Sequence, residues 1–528
     1  MNRPASIASL WPFVAAPLIF AATALLLGKA TGWDLENYHW YNPYALLHGR
    51  LGFDVAVGHV ATYYNPLADL PLYWFGTHAP AWVTGAVLGA LFGLAVALVG
   101  AIAWEMMDQV EPRWRLSLAM LLAAAGAIGG GAFPALGDVA NDVPVAIGIF
   151  AALWILLRHY PALRSARPTP TLWRVLLLAG CCAGISVGLK LTMAVFALGL
   201  LVAVLLPPPD WRARSRAVLA LGAGMGAGFL ACAGPWLWRM WRFSGNPLFP
   251  YFNHWFHSRL AADSAYRDVT YLNHDLRTQL LFPWLFTHDS HRAAEWAFRD
   301  AHVLAAYVLV PLGVLLMAVR HRHGVFSQAS RRTLFLFCFA AVGYLAWLHM
   351  FSIYRYLLPL EMLAPLLIVL ALLQWPLPRA ARVVLIAAVL VALQSVTRMS
   401  LERSDWAGRY VSVRVPPLTD PQHSMVLMAG TAPMSYVIPS FPAAIPFLRV
   451  DGWMVPQEDR SSGLALQMRQ RVADHTGPLY MLFVEYERAR ATGAAASYGL
   501  TLRADQCRTV SSNIGEDLQL CPLQRLAA

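Results

Sequence analysis

The chain has 528 residues, of which 58% are hydrophobic and only 13% are charged, and its formal net charge is +11. Soluble domains carry roughly 25% charged residues, so this composition excludes an ordinary soluble protein and indicates one that crosses a membrane several times. The basic excess does not indicate a nucleic-acid partner, because most Arg residues fall in short connections between apolar runs, where they set membrane orientation.

Apolar runs long enough to cross ~30 Å of hydrocarbon recur along the first 400 residues. The stretch 173–207 is too long for one span and is broken by Lys190, which suits two short helices with Lys190 at the turn. We therefore predict an α-helical polytopic membrane protein with about 11 transmembrane helices. The runs lie at 10–28, 81–104, 116–132, 143–158, 173–189, 191–207, 217–237, 302–319, 333–350, 357–374 and 382–398.

The distribution of basic residues predicts which connections face the cytoplasm. Alternate connections are rich in Arg, and the positive-inside rule assigns them to the cytoplasmic side. The N-terminus is then cytoplasmic, and the long loops 29–80 and 238–301, both rich in aromatic residues, face outward. The basic connections contain Arg113 and Arg115, then Arg158, Arg164, Arg167 and Arg174, then Arg212, Arg214 and Arg216, then Arg320, Arg322, Arg331 and Arg332, then Arg379 and Arg382.

The last part of the chain, 401–528, has the pattern of a small soluble α/β domain on the outer side. Continuous apolar runs at 425–429 and 479–484 predict buried strands, and 461–475 predicts an amphipathic helix between them. Cys507 and Cys521 lie in this region, and an extracytoplasmic location would favour a disulfide between them.

Two acidic clusters lie at the predicted outer ends of apolar runs. Asp34, Glu36 and His39 follow the first run, and Asp138 and Asp142 precede the fourth. A carboxylate at the edge of hydrocarbon is costly unless it is paired, hydrated or bound to metal. Helix capping is the simpler explanation for Asp34 and Asp142, but bundled helices would also allow the two clusters to meet in one pocket.

Isolated cations occupy two of the short outward turns. Lys190 has apolar residues on both sides, and Arg355 is followed by Tyr356 between two spans. Snorkelling toward lipid phosphate explains each cation by itself. Together with the carboxylates, however, they match a site that binds a phosphate-bearing substrate and also contains a base. Arg can bind two phosphate oxygens at once, and a carboxylate can accept a proton.

The order and sidedness of these short motifs, over roughly residues 1–400, resemble the GT-C membrane glycosyltransferases. The nearest groups are the protein mannosyltransferase and aminoarabinose transferase branches. The resemblance is carried by Asp34 after span one, Asn141-Asp142-Val143-Pro144 before span four, Gly188-Leu189-Lys190 near span five and Arg355-Tyr356-Leu357-Leu358-Pro359 near a late span.

The resemblance implies inverting transfer from a polyprenyl-phosphate sugar to a glycan, lipid or protein acceptor, at the outer face of a bacterial inner membrane. It implies that Asp34 is the catalytic base, that Asp142 binds metal or acceptor, and that Lys190 meets the donor phosphate. Some members carry adjacent Asp-Glu after span one, whereas Leu35 intervenes here, which leaves the role of Glu36 open. A Mg or Mn ion is compatible with oxygen ligands, and some related enzymes need none.

Two other functions fit the sequence less well. A transporter or lipid flippase usually places its charges near the midplane of the membrane, often within repeats, whereas these charges gather at one face. A non-catalytic assembly or sensor protein would use the outer domain for recognition, and substitutions at Asp34 would then be silent.

Overall fold

The structure is a computed structural model that describes residues 11–165, 167, 169–320, 327–406 and 408–526. Residue 10, where the first predicted span begins, lies outside the described residues. Internal contacts divide the chain into two units. The first unit comprises 1–27, 86–234 and 268–401, and the second comprises 28–85, 235–267 and 402–528.

Helices make up most of the chain, because long apolar stretches can satisfy their backbone groups internally only as helices within a membrane. Those up to residue 401 are α1 (Pro12–Leu27), α2 (Tyr41–Leu47), α3 (Leu70–His78), α4 (Ala81–Met106), α5 (Pro112–Ala127), α6 (Asp142–Arg158), α7 (Tyr160–Leu163), α8 (Pro170–Leu189), α9 (Ala194–Ala203), α10 (Trp211–Ser244), α11 (Asn253–Phe256), α12 (Leu276–His288), α13 (His302–Arg320), α14 (Gln328–Met350), α15 (Leu358–Leu372) and α16 (Arg379–Val396).

Seven helical segments among the described residues are long and apolar enough to cross a membrane. The chain is therefore a polytopic membrane protein, as the composition predicted. The other four predicted runs coincide with the shorter helices α1, α5, α6 and α9, so the count of eleven stays a prediction. The seven segments are α4, α8, α10, α13, α14, Tyr354–Leu372 and α16.

The second unit contains a seven-stranded sheet in the order β3-β8-β9-β6-β4-β5, with β7 paired to β9. The strands β4 and β6 run parallel, and both are buried along their whole length. This burial is why they read as continuous apolar runs rather than alternating ones. The elements are β3 (Val413–Arg414), β4 (Met425–Ala429), β5 (Phe447–Asp451), α17 (Gly463–Asp474), β6 (Leu479–Val484), α18 (Arg488–Ser497), β7 (Leu500–Leu502), β8 (Arg508–Ser512) and β9 (Leu518–Arg525).

The predicted elements of the C-terminal region are therefore confirmed. Both strands and the intervening helix occur where the apolar pattern placed them, and α17 contributes Leu464, Met468 and Val472 to a shared hydrophobic core. Cys507 and Cys521 are joined by a disulfide. Two short strands, β1 (Lys29–Ala30) and β2 (Arg403–Ser404), form a separate antiparallel pair.

The loop after α2 extends the edge of this sheet. Val55 pairs with Leu448 of β5 in parallel register, and Arg50 and Asp54 hold the loop in place. The Arg50 guanidinium donates to the Asp54 carboxylate at 2.7 Å and to the Ile445 carbonyl at 2.7 Å. This anchoring fixes the chain that follows the first acidic cluster.

Candidate functional site

Lys190 and Asp142 form a close ion pair in the first unit. Helix α8 ends at Leu189, Lys190 is extended, and a short 3-10 turn (Leu191–Met193) leads into α9. The break predicted at Lys190 is therefore confirmed. The Lys190 Nζ donates to Asp142 Oδ1 at 2.6 Å and to the Ala140 carbonyl at 2.7 Å. Asp142 is the first residue of α6, and its side chain is only 3% exposed.

Arg355 and Tyr356 complete a cluster around this ion pair. The Lys190 Nζ lies 5.5 Å from the centroid of the Tyr356 ring, and the Arg355 guanidinium carbon lies 5.2 Å from it. Both cations therefore share one aromatic ring, whose face attracts positive charge. Asp142 is paired with Lys190 within this cluster. Four of the predicted site residues thus come together.

Asp138 plays a different part from Asp142. Its Oδ1 accepts from the Val139 amide at 2.6 Å, within its own turn. The segment before Asp142 is a turn that ends with Asn141 at a φ of 66°, so the spacing of four residues does not put both carboxylates on one helical face. Asp138 shapes the turn whose Ala140 carbonyl meets Lys190.

The first acidic cluster lies in the second unit, in a π-helical turn at Leu35–His39. The Trp40 amide donates to the Leu35 carbonyl, five residues earlier, and single π turns are frequent at functional sites. Asp34 precedes this turn and is 8% exposed, but its side chain makes no capping hydrogen bond. Capping, the simpler explanation for Asp34, is therefore wrong.

Glu36 has an unusual environment on the same turn. Burial, reinforced by the nearby carboxylate of Glu516, raises the pKa of Glu36 to about 8. A carboxyl group with that pKa is mostly protonated at neutral pH. It can then donate a hydrogen bond, and only its minor ionised fraction can accept a proton.

His39 is paired with an acid that the sequence did not indicate. Its Nδ1 lies 2.7 Å from Asp69 Oδ1, and both side chains are 4% exposed. Its buried Nε2 has no hydrogen-bond partner among the described residues. A histidine oriented by a carboxylate, with its other nitrogen free, has the arrangement of a general base. Asp69 lies thirty residues further along, in a segment without any motif.

The first unit contains a buried polar network that the sequence motifs did not indicate. The Gly131 amide donates to Glu361 at 3.0 Å and the Gly130 amide to Asp300 at 2.8 Å, while His302 lies 3.0 Å from Asp300. All three side chains are at most 1% exposed. Two sequence features could have indicated this network: the glycine triplet at 129–131 and the acidic Glu361 inside the apolar run 357–374. Glu361 lies one helical turn and a half beyond Arg355, so this network fixes the start of the helix that follows the Tyr356 turn.

The edge of the sheet where parallel strands end is a common ligand position in α/β domains. In this domain the carboxylate of Glu487 occupies that position, after the end of β4. Glu487 accepts from the Thr431 amide at 2.7 Å and from the Ala432 amide at 3.2 Å. These backbone donors are therefore satisfied within the domain, and this edge is not a candidate site.

The predicted site residues are divided between the units. Asp34, Glu36 and His39 lie in the second, whereas Asp138, Asp142, Lys190, Arg355 and Tyr356 lie in the first. Convergence of the two acidic clusters in one pocket stays a prediction. Within the described ranges no group of three or more His, Cys, Asp or Glu side chains is arranged to hold a metal, and Asp142 is engaged by Lys190. We therefore assign no step to a metal ion.

Comparison with known protein families, with curated proteins and with solved structures found no match to this chain. The fold and the site themselves define the class. The chain is a polytopic membrane protein that carries a small α/β domain and a compact cluster of two cations, a carboxylate and an aromatic ring.

Proposed function

We propose that the protein is an integral membrane glycosyltransferase of the GT-C type. It moves a sugar from a polyprenyl-phosphate donor to an acceptor at the extracytoplasmic face, with inversion. The observation that carries this proposal is the cluster of Lys190, Arg355, Tyr356 and Asp142, which places two cations on one ring within an apolar, membrane-spanning unit.

The two cations supply what the leaving group requires. When the bond between the sugar C1 and the phosphate oxygen breaks, the lipid phosphate leaves with the electron pair. Preorganised cations stabilise that charge most strongly where water is scarce. Arg355 offers a fork of donors to two phosphate oxygens, and Lys190 adds a point charge that its pair with Asp142 holds in position.

A carboxylate base completes the reaction. Asp34 takes the proton of the acceptor hydroxyl while the acceptor oxygen forms its bond to C1. Asp34 lies directly before the π-helical turn that carries Glu36. A protonated Glu36 is suited to hold the acceptor by a hydrogen bond. His39, oriented by Asp69, is the alternative base.

The location follows from the same proposal. The N-terminus is cytoplasmic, the C-terminal domain lies on the periplasmic side of a bacterial inner membrane, and the acceptor is a glycan, lipid or protein. The disulfide between Cys507 and Cys521 supports an oxidising compartment for that domain.

Transfer from radiolabelled polyprenyl-phosphate hexoses by the purified protein in vesicles tests the proposal. We expect labelled acceptor with the wild type and at least a ~100-fold slower reaction with Asp34→Asn, the usual range for loss of a general base. Asp263→Asn is the matched control, because the Asp263 side chain is 65% exposed. Equal rates for Asp34→Asn and wild type would remove Asp34 from the mechanism.

One observation favours a second function, a transporter or lipid flippase. The helix that breaks at Lys190, next to a buried carboxylate, is of the discontinuous type on which transporters build their sites. Exchange of fluorescent polyprenyl phosphate between vesicle leaflets, without any sugar transfer, would support this function over the first.

A further inference from the structure

The second unit contains a cavity of about 140 Å³ beside the last turns of α10. A water molecule's share of liquid volume is ~30 Å³, so the cavity has room for a phosphate and a short polyol but not for acyl chains. The lining residues that matter here are Asn42, Arg50, Asp54, Thr62, Trp236 and Arg239.

The cavity carries one positive charge that the protein does not neutralise. Arg50 is paired with Asp54, and Tyr41 also donates to Asp54 at 2.8 Å, so this group is internally balanced. Arg239 is exposed, and no hydrogen bond or ion pair joins it to any residue that the structure describes. The free guanidinium therefore gives the cavity a net preference for an anion.

The wall of the cavity also contains a buried acceptor that lacks a donor. Asn42 is 3% exposed, and its amide nitrogen donates to the Ala61 carbonyl at 2.8 Å. Its Oδ1 accepts no hydrogen bond within the described part of the chain. A buried acceptor without a partner is destabilising, and a ligand with a hydroxyl group would supply the missing hydrogen bond.

The surroundings indicate that the ligand comes from the membrane. The outer turns of α10, an apolar span, carry Trp238 and Trp241, which are 62% and 48% exposed. Exposed tryptophans at the end of a span mark the headgroup layer. Trp236 lines the cavity itself, where its indole N–H donates to the Tyr63 carbonyl at 3.0 Å.

From these contacts we infer that the cavity binds the headgroup of an anionic phospholipid with a free hydroxyl, of the phosphatidylglycerol type. The phosphate lies on Arg239, and the hydroxyl donates to Asn42 Oδ1. This site is separate from the cluster around Lys190, and the inference does not depend on the proposed transfer reaction.

Native mass spectrometry of the full-length, delipidated protein, titrated with defined lipids, tests the inference. We expect Arg239→Gln to weaken phosphatidylglycerol binding about tenfold, the loss of one charge-assisted contact. Phosphatidylcholine binding should stay unchanged. Arg242→Gln is the matched control, because Arg242 lies one turn away, over the Trp238 ring, and does not line the cavity. Equal phosphatidylglycerol affinity in Arg239→Gln and wild type would overturn the inference.

Two further experiments test the hydroxyl contact and the choice between a lipid and a free anion. Phosphatidylmethanol has the same charge but no hydroxyl, so wild type should bind it more weakly than phosphatidylglycerol, and Asn42→Ala should bind both lipids equally. Wild-type affinities that are already equal would exclude the hydroxyl contact. Inorganic phosphate should not compete at millimolar concentration; competition that Arg239→Gln abolishes would assign the site to a free anion instead of a lipid.

Discussion

Lys190, at the break between α8 and α9, donates a hydrogen bond of 2.6 Å to Asp142 at the start of α6. The pair joins residues 48 positions apart in the sequence. It ties two helices together and holds an ammonium group beside Arg355 and Tyr356. The same contact therefore has a structural role and a proposed role in donor binding, and mutations can separate the two.

Removing only the lysine should be more harmful to stability than removing both partners. Lys190→Met leaves the buried Asp142 carboxylate uncompensated, so we expect a loss of roughly 3 kcal/mol. The double variant Lys190→Met/Asp142→Leu should recover most of that stability, because an apolar pair replaces the charges. Thermal unfolding in detergent measures both. Donor affinity should be lost in the two variants alike, and a double variant that still binds donor would limit Lys190 to a structural role.

Glu36 should make stability depend on pH. Its pKa is about 8 in the folded protein against an ordinary value of 4.5. Between these values the folded state keeps a proton that the unfolded state has released, so stability falls as the pH rises through this window. We expect Glu36→Gln to stabilise the protein by about 4 kcal/mol at pH 8 and to have little effect at pH 4.5.

The control for this pH dependence is Glu402→Gln, since Glu402 is exposed. Unfolding midpoints from pH 4.5 to 8.5 provide the measurement. A Glu36→Gln curve parallel to that of the wild type would show that burial of Glu36 does not shift its pKa in solution.

Substitution of Asp69 decides between the two candidate bases. If Asp34 takes the proton, Asp69→Asn should keep kcat within about tenfold of wild type, because it only disturbs the orientation of His39. If His39 is the base, loss of its carboxylate partner should reduce kcat by several orders of magnitude. Single-turnover rates for Asp34→Asn, Asp69→Asn and His39→Gln make the distinction, and a larger loss for Asp69→Asn than for Asp34→Asn would reverse our assignment.

Thiol counting should find two classes of cysteine. The chain has six cysteines, of which Cys181, Cys182, Cys232 and Cys338 are free. We expect four maleimide labels on the denatured, unreduced protein and six after reduction. Replacing Cys507 and Cys521 by Ser should cost ~3 kcal/mol of stability, as for a closed loop of about 15 residues. Six labels without reduction would contradict the disulfide.

Parts of the site follow from sequence and parts do not. The cations Lys190 and Arg355 stand out because a charge inside or between apolar runs is costly, and both belong to the cluster. Asp69 and Asp300 could not be found in this way. They lie in the loops 29–80 and 238–301, outside every predicted span, where an acid is ordinary. Only the partners that folding brings to them, His39 and His302, make them notable.

Residue spacing did not predict the backbone conformation at the two acidic clusters. Asp138 and Asp142 are separated by one helical turn, but Asn141 adopts a positive φ and ends that relationship. The sequence after Asp34 does not distinguish an extended segment from a helical one, and the chain adopts a π turn at Leu35–His39. Such turns depend on packing, because their hydrogen bonds alone do not favour them over an α-helix.

The sequence by itself determined the membrane class, the apolar helices, the break at Lys190 and the strands β4 and β6. These features depend on local composition, since each element must bury a continuous apolar surface or span hydrocarbon. Only the tertiary structure decided that Lys190 meets Asp142, that His39 meets Asp69 and that Val55 extends the sheet beside Leu448. Contacts between distant segments are set by how helices and strands pack, and that information is spread over the whole chain rather than held in any one motif.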